Sequence, residues 1–270
     1  MGADIKTLRS RIKSVDSTLH LTKAMGLVAS SKLRRAMEAM NRGREYENAV
    51  RLAIEPLLSS AECKSSPYMR ASSDGKECLV VIAGDRGLAG GYNANIFRAL
   101  KEYPLAEIVP IGKRACDRFA GELCYAEDFD YEQALGLSIE LCRGFCEGTY
   151  NRVGILCTRY LSMMSQEVEY RPILPLVASE EKKESGMIYE PDEITILDAA
   201  VPEYVAGMLV SAVRESFASE VAARRCAMDS AGKNAQGMID ELQLQYNRAR
   251  QGAITQEITE IVAGSGAERS

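Results

Sequence analysis

One histidine, His20, stands in 270 residues. That scarcity removes most acid–base and metal schemes, which lean on imidazole. The eight cysteines are Cys63, Cys78, Cys116, Cys124, Cys142, Cys146, Cys157 and Cys226, and no CxxC pair occurs among them. Such a pattern argues against a zinc site. No apolar run is read as long enough to cross a bilayer, no N-x-S/T sequon occurs, and no secretory leader is visible. The opening Met-Gly lacks Ser or Thr at position 6, so myristoylation is not indicated. Together these absences predict a reduced cytoplasmic setting, with the cysteines as small core residues. The net charge of −5 argues against bulk nucleic-acid binding.

Proline is also missing, but only from the ends: all eight lie between Pro56 and Pro202. That fact sets the predicted boundaries. Residues 1–57 are an N-terminal coiled-coil helix and 58–76 a polar linker. Residues 77–202 form an α/β domain, and 203–270 a C-terminal coiled-coil helix.

What is present begins with a heptad pattern. Ile5, Leu8, Ile12, Val15, Leu19, Thr22, Gly26, Ala29, Leu33, Ala36, Met40, Gly43, Glu47, Val50, Ile54 and Leu57 follow alternating spacings of three and four. Most are apolar or small, and the residues between them are mostly polar. A repeat of this period held this long predicts a coiled-coil helix. Its partner is the C-terminal segment. There Leu209, Val213, Phe217, Ala223, Ala227, Ala231, Met238, Leu242, Ala249, Ile254, Ile258 and Ile261 are read as the facing stripe. Two helices joined through a long middle segment lie antiparallel, and small residues let their axes come close. Charge is unevenly placed: residues 1–57 hold 11 Lys/Arg against 6 Asp/Glu, so the rest of the chain is strongly acidic. Such a basic helix has either a solvated basic face or an acidic partner.

The middle alternates strand and helix. Strands are predicted at 77–83, 107–111 and 152–161, weaker ones at 168–175 and 193–197, and an edge strand at 122–128. Helices are predicted at 92–103, 113–120 and 131–150. The fold class is therefore α/β: a long antiparallel two-helix coiled coil around an open, largely parallel, Rossmann-like domain. The turn at 84–91, GDRGLAGG, sits between a strand and a helix, where backbone N–H groups can meet a phosphate. It is neither GxGxxG nor GxxxxGK[ST], and no Walker lysine follows. The plainer reading is a tight turn fixed by Asp85 and Arg86. Cys142 and Cys146, four apart on a predicted helix, read as packing residues. No catalytic, cofactor-binding or metal-binding residues are predicted.

Several stretches now combine. Residues 14–36, SVDSTLHLTKAMGLVASSKLRRA, and 242–267, LQLQYNRARQGAITQEITEIVAGSGA, resemble the terminal helices of the gamma subunit of rotary, F-type ATP synthases. The pattern includes Ile254, Thr255, Glu257 and Glu260. GDRGLAGGYN at 84–93 and LSMMSQ at 161–166 resemble two further segments of that family. His20, Gly26, Ala89 and Ser265 depart from its commonest residues. No inserted cysteine pair and no transit peptide are seen, which points to a bacterial type. The resemblance implies a non-catalytic central-stalk rotor subunit with no cofactor. Its partners are the catalytic beta and non-catalytic alpha subunits, epsilon and the membrane c-ring. It sits peripherally on the cytoplasmic face of the cell membrane and couples proton or sodium flow to ATP synthesis or hydrolysis. By motif match, Met25, Arg224, Arg250, Gln251, Thr255 and Glu257 are the expected contacts to the catalytic ring. Two other readings stay open on the residues alone: a coiled-coil scaffold of another complex, and a small α/β phosphate-binding enzyme.

Overall fold

The computed structural model describes residues 2–70, 73–177 and 189–267. They fall into two compact units, Met1–Val28 with Arg225–Ser270, and Ala29–Arg224. Helix α1 (Gly2–Ser59) and helix α5 (Glu193–Ala267) each contribute to both units.

In the smaller unit the two helices pair antiparallel. Val15 and Leu19 pack on Ala235 and Ile239. Thr22 and Leu19 face Gly232, and Gly26 faces Met228. As numbers rise along α1 they fall along α5. A methyl group at Gly26 would meet Met228 Cβ at an ordinary 3.7 Å. The α1 heptad positions are buried or half-buried throughout both units. The α5 stripe needs correction in the smaller unit. Ala235 and Ile239 face inward, while Met238 is 52% exposed. Steps of four outrun the 3.6-residue turn, so a stripe read in fours drifts off the seam. Ile254, Ile258 and Ile261, read as seam residues, are likewise exposed.

The larger unit is built on a four-stranded sheet, order β2-β1-β3-β4. Its strands are β1 (Lys76–Ile82), β2 (Glu107–Ile111), β3 (Tyr150–Tyr160) and β4 (Gln166–Leu174). β1 pairs parallel with β2 and β3, and β3 and β4 form an antiparallel hairpin. β1 is central, and its two faces alternate. Leu79 and Val81 pack with Ile96 and Leu100 from α2 (Tyr92–Ala99) and the turn after it. Cys78, Val80 and Ile82 join the main core with Ile54, Leu57, Leu141, Leu197, Val201, Val205 and Leu209. A strand buried on both faces reads as the continuous apolar run Cys78–Ile82, as parallel sheets require. Two further helices, α3 (Lys113–Phe119) and α4 (Tyr131–Cys146), complete the unit. A full capping box starts α4, with Asp130 and Gln133 exchanging bonds.

Four expectations change here. Residues 193–197 are the first turn of α5, not a strand. Asp192 caps that turn by accepting from the Thr195 backbone N–H at 2.8 Å, and the β-branched run Ile194–Thr195–Ile196 obscured it. Pro202 therefore lies inside a helix. Residues 122–128 form no strand, because the amides of Ala126 and Glu127 donate to the Asp85 carboxylate rather than to a ladder. The supposed linker is packed: two 3-10 turns hold Cys63, Ser66 and Tyr68 in the core, and the Ser66 hydroxyl donates to Asp198 at 2.6 Å. Finally, α5 does contain a window long and apolar enough to cross a membrane, but 61% of it is buried within the chain, as in the core helix of a globular unit.

Candidate functional site

The glycine-rich turn is the place where an enzyme of this architecture would hold a phosphate. Here the chain supplies the anion itself. Glu220 is 1% exposed and accepts from the backbone N–H groups of Asp85 at 3.3 Å and Arg86 at 3.2 Å. Arg224, one turn on, closes an ion pair with the same carboxylate and donates from Nε to the Gly87 carbonyl at 3.2 Å. Asp85 stitches the turn from the other side, accepting from Lys113, Ala126 and Glu127 amides at 3.1, 2.9 and 2.9 Å. The Asn93 side-chain oxygen accepts from Gly84 N–H. The turn is thus docked on α5 with the amides of Asp85 and Arg86 already occupied. The plainer reading of GDRGLAGG, a fixed tight turn, is what this geometry supports.

Two glycines make the docking possible. A methyl group at Gly84 would lie 2.7 Å from Glu220 Cδ, and one at Gly112, where φ is +89°, would lie 2.0 Å from the Ala83 carbonyl oxygen. Gly84→Val should therefore push the Glu220 carboxylate off its amides. The expected loss is about 1–3 kcal/mol, the usual range for overpacking, read as a lower urea midpoint with an unchanged slope. A midpoint equal to that of the parent would mean the contact is dispensable.

A second buried carboxylate lies one and a half turns earlier on α5. Glu215, 1% exposed, receives Arg44 from α1, Arg171 from β4 at 2.7 Å and the Tyr160 backbone N–H from β3 at 3.0 Å. Burial alone would raise its pKa. The bonds from Arg171, Arg44 and Tyr160 outweigh burial and hold it below the ordinary value. One side chain thereby ties two strands and two helices of the larger unit. Between the two glutamates, the Ser216 backbone carbonyl accepts from the Tyr92 hydroxyl, and its hydroxyl oxygen from the Thr158 amide. Sequence reasoning missed this set. The signal was present in 215–220, ESFASE, a polar interruption of an otherwise small and apolar stripe.

The residues expected to touch a catalytic ring are divided between the two units. Arg224 belongs to the larger unit, is only 12% exposed at its side chain, and makes two bonds within the chain, to Glu220 and Gly87. These two bonds help to fix the turn. Met25 is half-buried on α1 of the smaller unit. Arg250, Gln251, Thr255 and Glu257 are exposed on α5 of that unit, with the Thr255 hydroxyl donating back to the Gln251 carbonyl. His20 is exposed beside Asp16 and meets no catalytic partner. Burial pushes the thiols of Cys78, Cys142 and Cys157 up to about 12, which suits packing and not nucleophilic chemistry. No group of His, Cys, Asp and Glu suited to a metal ion occurs among the described residues.

Comparison with known proteins agrees along the whole chain. A family model described as ATP synthase matches residues 4–267. An ATP synthase gamma chain from Geotalea uraniireducens (strain Rf4) is 38% identical, over 97% of this chain and 98% of the relative. One from Ruminococcus albus is 39% identical with the same coverage. Among solved structures, a chain of the rotor of Euglena gracilis mitochondrial ATP synthase aligns with a TM-score of 0.64 at 19% identity, covering 94% of this chain and 100% of that one. A chain of an OSCP/F1/c-ring structure from the same organism gives 0.67 at 20% identity, covering 99% and 95%. At these identities the structures establish a shared fold.

Proposed function

Because the chain belongs to the ATP synthase gamma-chain family, we propose that it is the central-stalk rotor subunit of an ATP synthase. It couples ion flow through the membrane ring to ATP synthesis or hydrolysis in the catalytic head. The subunit is not itself an enzyme, and it works as part of a peripheral, membrane-associated complex. We place that complex on the cytoplasmic face of the cell membrane. Its partners are the alpha and beta subunits around the coil, and epsilon and the c-ring.

The observation that carries this reading is the full-length family match, supported by the form of the coil. Two helices of the smaller unit pair through small residues, while α5 keeps Leu244, Ile254, Ile258 and Ile261 exposed. Such a surface suits a surrounding sleeve. A single asymmetric rod inside a ring of like subunits touches each of them differently. Each contact then favours a different conformation of its site, which is population shift by differential affinity. Met25, Arg250, Gln251, Thr255 and Glu257 are the proposed coupling contacts. Arg224, which also fixes the glycine turn through Glu220 and Gly87, is proposed with them.

Two measurements test the proposal together. Pulled from native membranes, the chain should bring alpha, beta, epsilon and c subunits in a complex identifiable by mass. Titrated alone, it should bind no ATP and hydrolyse none. Stoichiometric nucleotide binding that Gly84→Val removes would favour the enzyme reading and sink this one.

A further inference from the structure

The glycine turn is gripped from two sides within the larger unit. On one side α5 holds it: Glu220 accepts from the Asp85 and Arg86 amides, and Arg224 donates to the Gly87 carbonyl. On the other side the segment between α3 and α4 holds it, with the amides of Ala126 and Glu127 donating to Asp85 at 2.9 Å each. The Glu127 side chain then reaches out in two directions. Its Oε2 accepts from Arg86 of the turn at 3.4 Å, and its Oε1 is paired with Lys32 of α1. The two helices also meet directly, where Ala29 and Leu33 pack with Val221 and Ala222. These links close a ring. It runs from α1 through Lys32 to Glu127, on to the turn, then to Glu220, along α5 to Val221, and back to α1. Its helix members Lys32, Leu33, Glu220 and Val221 stand about one turn from Ala29 and Arg224, the bounds of the unit on each helix.

The links of this ring resist different motions. The apolar seam opposes separation of the helices, but apolar contact is non-directional, so alone it does not fix how far α1 is rolled about its axis. A charge-assisted bond fixes direction as well as distance. Glu220 is enclosed, whereas Lys32 and Glu127 are 35% and 33% exposed at their side chains. A pair so exposed adds little to folding stability, and salt screens it. What it supplies is placement: it holds one face of α1 against the segment that carries Glu127.

We propose that Glu127 is a positioning residue for coupling. Through Lys32 it fixes the roll of α1 against the glycine turn, and so the register in which the two helices leave the larger unit. The proposal rests on the rotor reading, since coupling belongs to the assembled complex.

The test uses that complex in sealed vesicles, with Lys32→Gln, Glu127→Gln or Lys32→Arg in the full chain. ATP hydrolysis and ATP-driven ion uptake are measured on the same vesicles. In both Gln variants uptake per ATP should fall about twofold at low salt, the population change that loss of one exposed ion pair allows. Lys32→Arg keeps the charge and should keep the parent ratio. Rising salt should bring the parent down towards the Gln variants, which should themselves respond less. The thermal midpoint of the isolated chain should be the same for all four proteins, which separates positioning from folding. Should Glu127→Gln fail to assemble, Lys32→Gln decides alone. A Gln-variant ratio equal to that of the parent at low salt would overturn the proposal. So would a drop shared by Lys32→Arg, or a thermal midpoint that falls in step with the ratio. A parent complex with no ATP-driven uptake would count against the rotor reading itself, whereas failure of this clasp alone leaves the parent uptake intact.

Discussion

Replacing Glu215 by alanine is expected to remove about 3–5 kcal/mol of stability, the cost of breaking a buried ion pair from one side. Glu215 is almost fully enclosed, and Arg171 is only 17% exposed at its side chain. With the carboxylate gone, the Arg171 guanidinium keeps Glu169 but loses its buried partner, and the Tyr160 amide loses its acceptor. Arg44 is 40% exposed, so water screens its share and it contributes little to the total. Glu215→Gln should be milder, because the amide oxygen still accepts while the charge is lost. The wild-type advantage over Glu215→Gln should also depend on pH. The folded pKa of Glu215 lies below its ordinary 4.5. Its contribution is therefore complete above about 4.5 and disappears as pH falls through the folded value. Urea midpoints taken from neutral pH down through this range should converge for the two proteins. Parallel curves across the whole range would show that the charge of Glu215 does not matter. The consequence for function is stiffness: the same node joins α1, β3, β4 and α5 of the larger unit, so a torque on the helices is shared with the sheet.

Much of this was legible from the order of residues, for reasons that differ by element. The α1 heptads could be read because each position repeats the same local demand, a small or apolar side chain every 3.5 residues. β1 was legible because a doubly buried parallel strand must be apolar without interruption. The glycine turn was readable as a turn, but not as one closed by Glu220, since that contact spans more than a hundred residues and carries no local periodicity. The same holds for Glu215 with Arg44 and Arg171. Carboxylates pair by tertiary placement, and the sequence shows only that 215–220 interrupts an apolar stripe. The start of α5 was hidden because Ile194, Thr195 and Ile196 favour strands, while the Asp192 cap and the packing of Leu197 and Val201 into the core decide for helix. Arg224 could be matched to the family by position, but its bonds to Glu220 and Gly87 could not be read, since they join residues far apart in sequence or depend on the turn's placement.

Rotation itself is the central claim, and a reversible tether tests it most directly. Met25 lies half-buried on α1 of the smaller unit, one of the proposed contacts to the catalytic ring. Only Cys124, Cys146 and Cys226 need replacing, because the other native thiols are buried. Met25→Cys is then combined with a cysteine on the facing loop of a catalytic subunit. A full turn of the shaft cannot be absorbed by one disulfide, so oxidation should abolish multi-turnover ATP hydrolysis by the assembled complex. A reductant should restore it, and nucleotide binding to the ring should survive throughout, since the sites are untouched. Undiminished steady-state hydrolysis with the cross-link complete on a gel would contradict the account.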